Sequence, residues 1–320
     1  MSQLLRPLGI SVALIVIFSI SSPVSATTPQ KPVPHAIAIG DANGFVAVGE
    51  TTTPEGAVID TFQSGDVSIK VIGTPGAMVS FYPSAANADK EHGVQIAMMT
   101  TRPKTEKDAT RYRDSGRTVV GDLVALGVPR AIAEREFGAM ETGGATNPYL
   151  AATTTPVYDT QCATITQGAG HIHGYGCSTF YRTYAKGTDW WFNDTMKVSA
   201  YSDDNSIWHP KRLIQLGWRV TWSTNNVIYD WEPSGPINTN CSTVTIGVTS
   251  PFGGVSIGAP VCQSNLQPWT VTSTRSGGVW NGIESGSNVY EAAVAAQSVH
   301  NPPNAATSYQ SAWTLTYIEL

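Results

Sequence analysis

Charge is what this sequence has least of. Asp, Glu, Lys and Arg make up 13% of its 320 residues, about half the roughly 25% of an ordinary soluble chain. The 19 basic residues are outnumbered by 24 acidic ones, for a formal net charge of −5. Nucleic-acid binding needs a clustered basic face, and this balance argues against it. Cysteine is missing from the first half of the chain. Its four copies are Cys162, Cys177, Cys241 and Cys262, and none begins a CxxC or CxH spacing, which speaks against a zinc site built on them. After residue 26 no apolar run reaches the ~20 residues that a membrane-spanning helix needs. What the chain does have is 41% hydrophobic residues, enough for a core and unlike a disordered chain. Its 30 Gly and 20 Pro, set among Thr, Ser and Val, point to many short strands and turns.

Residues 1–26 carry the three-part pattern of a secretory signal. Arg6 supplies the positive start, Leu8 to Ser22 the apolar run, and Val24-Ser25-Ala26 the small residues of a cleavage site. Pro23 stops the apolar run too early for a stable anchor. Cleavage after Ala26 and a secreted, extracellular location are therefore expected. In an exported chain an even number of cysteines reads as disulfides. Cys162–Cys177 and Cys241–Cys262 are the expected pairs, because each flanks a segment that reads as one hairpin. Each bond would contribute roughly 2–4 kcal/mol by restricting the unfolded chain.

Two unlike halves follow. In residues 27–137, Val67, Ile69 and Val71 alternate with polar residues, and Val94, Ile96 and Met98 share a strand face. The turn cluster between Ile39 and Phe45 predicts a hairpin. A helical spacing then starts near Thr105 and runs through Val119, Val120, Leu123 and Leu126 to Gly127. A second short helix is predicted from Pro129 to Phe137, capped by Gly138. This half reads as a small α+β domain and a possible pro-segment. Residues 138–160 lack periodicity and read as a linker. Residues 161–320 hold all nine tryptophans and all four cysteines. Even positions from Ile214 to Trp222 are apolar, Asn225-Asn226 reads as a hairpin turn, and Val227, Tyr229 and Trp231 share the next core face. Tyr290 to Ser298 offers the one helical spacing of this half. The expected fold is mainly β: a C-terminal antiparallel β-sandwich or jelly-roll-like domain bearing the disulfides, preceded by the small α+β unit.

This order of parts resembles that of a loose group of secreted actinobacterial β-rich proteins. The likeness lies in the signal peptide, the Leu126-Gly127-Val128-Pro129 step into a short helix, the Gly/Thr-rich linker, and Gly176-Cys177 on a Tyr-rich strand. It implies export and a β-rich fold, and no activity.

Four features carry candidate chemistry. Gly254-Val255-Ser256-Ile257-Gly258 matches G-x-S-x-G, with Glu284 or Glu291 and then His300 in hydrolase order. The motif needs a strand-to-helix elbow, and no helix is expected after Ser256. His171 and His173 fall on one strand face, with His209, Asp203 or Asp204 as further metal ligands, none at diagnostic spacing. Asp230 and Glu232 share a face and fit the looser carboxylate separation of glycosidases, although such pairs usually come from different strands. The aromatic load is the fourth feature. Trp190, Trp191 and Trp208, if exposed, offer flat surfaces for stacking on sugar rings.

Together these features predict a secreted, non-enzymatic protein, without a cofactor, that binds an extracellular polysaccharide or envelope component through exposed aromatics. A secreted hydrolase using Asp230 with Glu232, or Ser256 with His300, is the first alternative. An extracellular structural or adhesion module is the second.

Overall fold

Period-two alternation of β-branched and aromatic residues turns most of the chain into strand. The computed structural model describes residues 38–39, 42–73, 78–83, 90–101, 116–141, 157–186, 189–222, 226–237, 242–250, 253–261, 266–269, 271–283, 291–301 and 308–320. The strands before the helices are β1 (Ala38–Ile39), β2 (Val46–Thr52), β3 (Val58–Ser64), β4 (Val67–Ile72), β5 (Met78–Pro83) and β6 (Glu91–Thr101). Two helices follow, α1 (Val119–Ala125) and α2 (Arg130–Glu141). Then come β7 (Val157–Gln167), β8 (Ile172–Lys186), β9 (Asp189–Ser202), β10 (Lys211–Trp222), β11 (Val227–Glu232), β12 (Ser242–Ser250), β13 (Gly253–Val261), β14 (Leu266–Pro268), β15 (Arg275–Asn281), β16 (Glu291–Asn301) and β17 (Ser308–Glu319). The signal segment and the greater part of the expected linker lie outside the described residues.

These strands form two large sheets and a separate β12–β13 hairpin. The first sheet has the order β1-β5-β6-β17-β10-β15-β14, and the second β11-β16-β9-β8-β7-β4-β3-β2. All pairings are antiparallel except that of β1 with β5. The two sheets pack face to face in a sandwich-like arrangement. Phe62, Ile69, Ile165 and Val198 of the second sheet meet Phe81, Ile96, Trp218, Trp313 and Leu315 of the first in one buried cluster. The Trp218 and Trp313 rings lie 5.9 Å apart and nearly parallel. Gly174 and Gly176 of β8 make room for them. A Cβ on Gly174 would sit 2.8 Å from Leu315 Cδ2, and one on Gly176 2.9 Å from Trp218 Cζ3.

The outer face of the second sheet is buried as well, under the two helices. Val119, Leu123, Leu126, Ala133 and Phe137 cover Ile72, Cys162, Tyr175 and Cys177. Thr118 Oγ1 caps α1 by accepting from Gly121 N at 2.9 Å. The helix ends as its sequence predicts. Gly127 adopts φ +102°, its N–H reaches Val124 O, and Val128 N–H reaches Leu123 O, the 6→1 and 5→2 bonds of a Schellman motif. Pro129 O then accepts from Ile132 and Ala133 at the start of α2. Lys197 of β9 is fully buried beneath α2. It pairs with Glu136 Oε2 at 3.1 Å, donates to Glu136 O, and lies over the Phe137 ring. The disulfide Cys162–Cys177 joins directly opposed residues of β7 and β8 in this layer, with Cα atoms 4.1 Å apart. Cys241 and Cys262 lie outside the described residues.

Several expectations are corrected. The strands on either side of 138–160 do not form separate cores. Five residues of β4 pair with β7, and eleven of β6 pair with β17, so both large sheets take strands from both halves. Apolar alternation marks a strand but not its partner, which is why the boundary in composition is not a boundary in the fold. The 42–45 turn and the chain beyond Trp222 are not hairpins either: β1 and β2, and likewise β10 and β11, lie in different sheets. Two β-bulges shift the expected faces. One between Leu213 and Gln215 buries Leu213 and leaves Ile214 half-buried. Another between Ile228 and Asp230 buries Ile228 and leaves Val227 54% exposed. Helix α2 runs through Gly138 to Glu141 instead of ending there. Residues 291–298 of the expected helical stretch belong instead to strand β16, which pairs along its length with β9.

Candidate functional site

The outer face of the second sheet is polar where it runs beyond the end of α1. The register aligns one residue from each of four strands there. Ser68 of β4 lies opposite Thr166 of β7, Thr166 opposite His173 of β8, and His173 opposite Tyr201 of β9. Lys70, Thr164 and Tyr175 form the neighbouring row. The two rows floor a cavity of about 190 Å³, with Leu126, Gly127, Val128 and Pro129 as its wall. That is smaller than the ~300–1,000 Å³ of a drug-sized pocket, and suits one ring of a larger ligand. The His173 and Tyr201 rings stack at 4.8 Å with 23° between planes. Lys70 is exposed, and a Cβ on Gly127 would fall 3.8 Å from its Nζ. Its ammonium therefore stands beside the C-terminal end of α1.

Next to this row, Asp203 gathers both candidate histidines. His171 Nδ1 lies 2.8 Å from Asp203 Oδ1, and His173 Nε2 3.3 Å from Asp203 Oδ2. His171 sits in the turn before β8 rather than on its face. Of the other proposed ligands, Asp204 is buried and accepts from Ser206 N at 2.9 Å and Lys211 N at 3.0 Å, and His209 Nδ1 is 3.1 Å from Leu320 O. Burial pushes the Asp204 pKa up. The backbone N–H groups of Ser206 and Lys211, with the nearby charges of Lys211 and His171, outweigh it and hold the carboxyl below its ordinary value. Among the described residues no group of three His, Cys, Asp or Glu side chains is arranged to hold a metal ion.

Asp204 organises the loop that leaves this site. Its backbone O also accepts from Arg212 Nη1 at 2.7 Å. Ser206 bonds to Trp208 through both its hydroxyl roles. The loop so fixed presents Ile207 and Trp208 to solvent, 87% and 77% exposed. Trp190 and Trp191 open β9, and their side chains lie outside the described set. Trp191 is eleven residues from the end of β9 at Ser202, about 36 Å at ~3.3 Å per residue. The backbone at Trp190 and Trp191 thus lies at the other end of β9 from the loop that carries Trp208. Trp218, Trp222, Trp280 and Trp313 are core residues.

The hydrolase candidates are placed as follows. Ser256 lies mid-strand in β13, opposite Gly247 of β12, in a strand-to-strand hairpin rather than a strand-to-helix elbow. His300 is in β16, opposite Val227. The Glu232 carboxylate closes on its own turn, accepting from Ser234 N at 2.9 Å and Ser234 Oγ at 3.1 Å. Asp230 Oδ1 accepts from Trp231 N at 3.0 Å. Asp230 and Glu232 lie opposite Ser298 and Ala296 of β16, not opposite another carboxylate.

Sequence reasoning missed Ser68, Lys70, Thr164, Thr166 and Tyr201. Lys70, Thr164, Thr166 and Tyr201 are each flanked by buried residues, and Ser68 by half-buried Val67 and buried Ile69, but only the register of four strands reveals that they fall in two adjacent rows. No protein-family model matches the chain, and no curated protein matches it. Among solved structures, the N-terminal domain of the Streptococcus gordonii adhesin Sgo0707 aligns over 91% of this chain and 61% of its own at 10% identity, with a TM-score of 0.17. The chain thus spans less than two thirds of that domain, and a likeness of this size carries no argument.

Proposed function

We propose that this is an exported, non-enzymatic binding protein that holds a saccharide of the envelope or surroundings on the outer face of its second sheet. The observation that carries this reading is the transverse row of Ser68, Thr166, His173 and Tyr201 flooring a ring-sized cavity. Hydroxyls and an imidazole suit the hydroxyls of a sugar, and an aromatic at one end suits its apolar face. Trp208, held out by the adjoining loop, is a second stacking surface for a longer chain. The two packed sheets act as a rigid scaffold, in the manner of a jelly-roll-like binding module. The signal-like N-terminus and the Cys162–Cys177 disulfide are consistent with an extracellular location.

The test is retention on insoluble cell-wall and polysaccharide matrices. Wild type should be retained, with Tyr201→Ala and Trp208→Ala each at least several-fold weaker. Equal retention of all three proteins, or none, defeats the reading. Release of soluble sugar would instead favour a hydrolase.

A further inference from the structure

The outer face of the first sheet holds two arginines with no counter-charge among the described residues. Arg219 on β10 lies opposite Gly277 of β15, and Thr221, two residues on, lies opposite Arg275. Cross-strand partners share a face, as do residues two apart on one strand, so Arg219 and Arg275 are diagonal neighbours on the same side. Both are half-buried. The Arg219 guanidinium carbon sits 4.4 Å from the centre of the Trp269 ring. Trp269 is itself anchored by its backbone N–H, which donates to Gly277 O at 2.9 Å. Position 277 must be glycine: a Cβ there would lie 2.1 Å from Trp218 O and 2.5 Å from Arg219 Cα. With no side chain opposite it, Arg219 packs directly against the Gly277 backbone.

Neither arginine takes part in an ion pair among the described residues, and the Arg275 Nε is buried with no hydrogen-bond partner. Burial and the neighbouring Arg275 both push the Arg219 pKa down. Arginine keeps its proton in proteins, so neither side chain can relieve the repulsion by becoming neutral. Two adjacent guanidinium groups drawn out of water without an anion are costly. A bound oxyanion would satisfy both, and the planar guanidinium fork matches carboxylate, sulfate and phosphate groups.

We propose that Arg219 and Arg275, with Trp269 supporting Arg219 from its ring face, form an oxyanion-binding site on the first sheet. The ligand class is a group carrying a carboxylate, sulfate or phosphate. This site lies on the other sheet from the saccharide row and stands or falls separately from it.

The experiment measures thermal stabilisation of the full chain by sodium sulfate, sodium phosphate and sodium glucuronate, each against sodium chloride at equal ionic strength. Wild type should show a saturable excess shift with at least one of the three anions. Half-saturation should weaken at least tenfold in Arg219→Gln and Arg275→Gln, and weaken less in Arg275→Lys, which keeps the charge but loses the fork. The anion that saturates at the lowest concentration identifies the preferred group. General salting effects do not saturate and act on every variant alike. A shift of that kind, the same in wild type and in Arg275→Lys, would overturn the proposal. So would isothermal titration of wild type that shows no saturable binding of any of the three anions, which decides the matter even if a glutamine variant fails to fold.

Discussion

Gly176 and Gly138 show how differently one residue type can be constrained. Gly176 lies on the inner face of β8, where a Cβ would fall 2.9 Å from Trp218 Cζ3 and 3.0 Å from Lys197 O. The ring can shift, but the carbonyl belongs to the neighbouring strand and cannot move without disturbing the ladder. Gly138 lies within α2, and a Cβ there would meet nothing within 4 Å. Gly176→Ala should therefore destabilise the protein by about 1–3 kcal/mol through overpacking. Gly138→Ala should stabilise it by about 0.5–1 kcal/mol through helix propensity and lost unfolded-state entropy. Urea unfolding midpoints of both variants check the pair, and opposite signs are expected. The sequence alone marks both positions as small and does not separate them, because what distinguishes them is the tryptophan ring arriving from the other sheet. Lys197 was illegible for the same reason. A lysine in a strand reads as solvent-facing, and only the helix laid over β9 buries it against Glu136.

At the scale of elements, local chemistry was legible and pairing was not. Gly127 and Pro129 ended one helix and began the next as their backbone preferences require. Alternation located β10 and β17, and the opposed cysteines of β7 and β8 are bonded as their spacing predicts. Bulges were invisible, since an inserted residue leaves composition unchanged while turning Ile228 inward and Val227 outward. The β12–β13 hairpin allows a further expectation. Its register ends with Ser242 opposite Val261, and Cys241 and Cys262 are the next residues along the two strands. A Cys241–Cys262 bond, expected from the sequence, would repeat the arrangement of Cys162 and Cys177 in β7 and β8. Peptide mapping without reductant should recover a Cys241–Cys262 peptide alongside Cys162–Cys177. Recovery of Cys162 or Cys177 linked to either of the others would overturn that pairing.

For the whole molecule, the decisive fact is that each large sheet is assembled from both sides of residues 138–160. The polar cavity on the second sheet depends on this, since Ser68 and Lys70 come from before that segment, and Thr164, Thr166, His173 and Tyr201 from after it. Removing the first half as a pro-segment would strip β6 from β17 and β4 from β7. It would leave two unpaired strand edges, the kind of surface that folded proteins cover or blunt. It would also expose the faces of Trp313, Leu315 and Ile165 that now pack in a common core with Ile69, Phe81 and Ile96. Composition could not reveal this, because a Gly/Thr-rich connection between two shared sheets looks the same as one between two domains. A protease site inserted between Glu141, where α2 ends, and Val157, where β7 begins, provides the test. After cleavage, the two fragments should co-elute as one species in gel filtration under native conditions and unfold in a single transition. They should separate only in denaturant. A C-terminal fragment that leaves the column alone, folded and still able to bind, would mean that the strand exchange between halves is dispensable and that the first half is a removable segment after all.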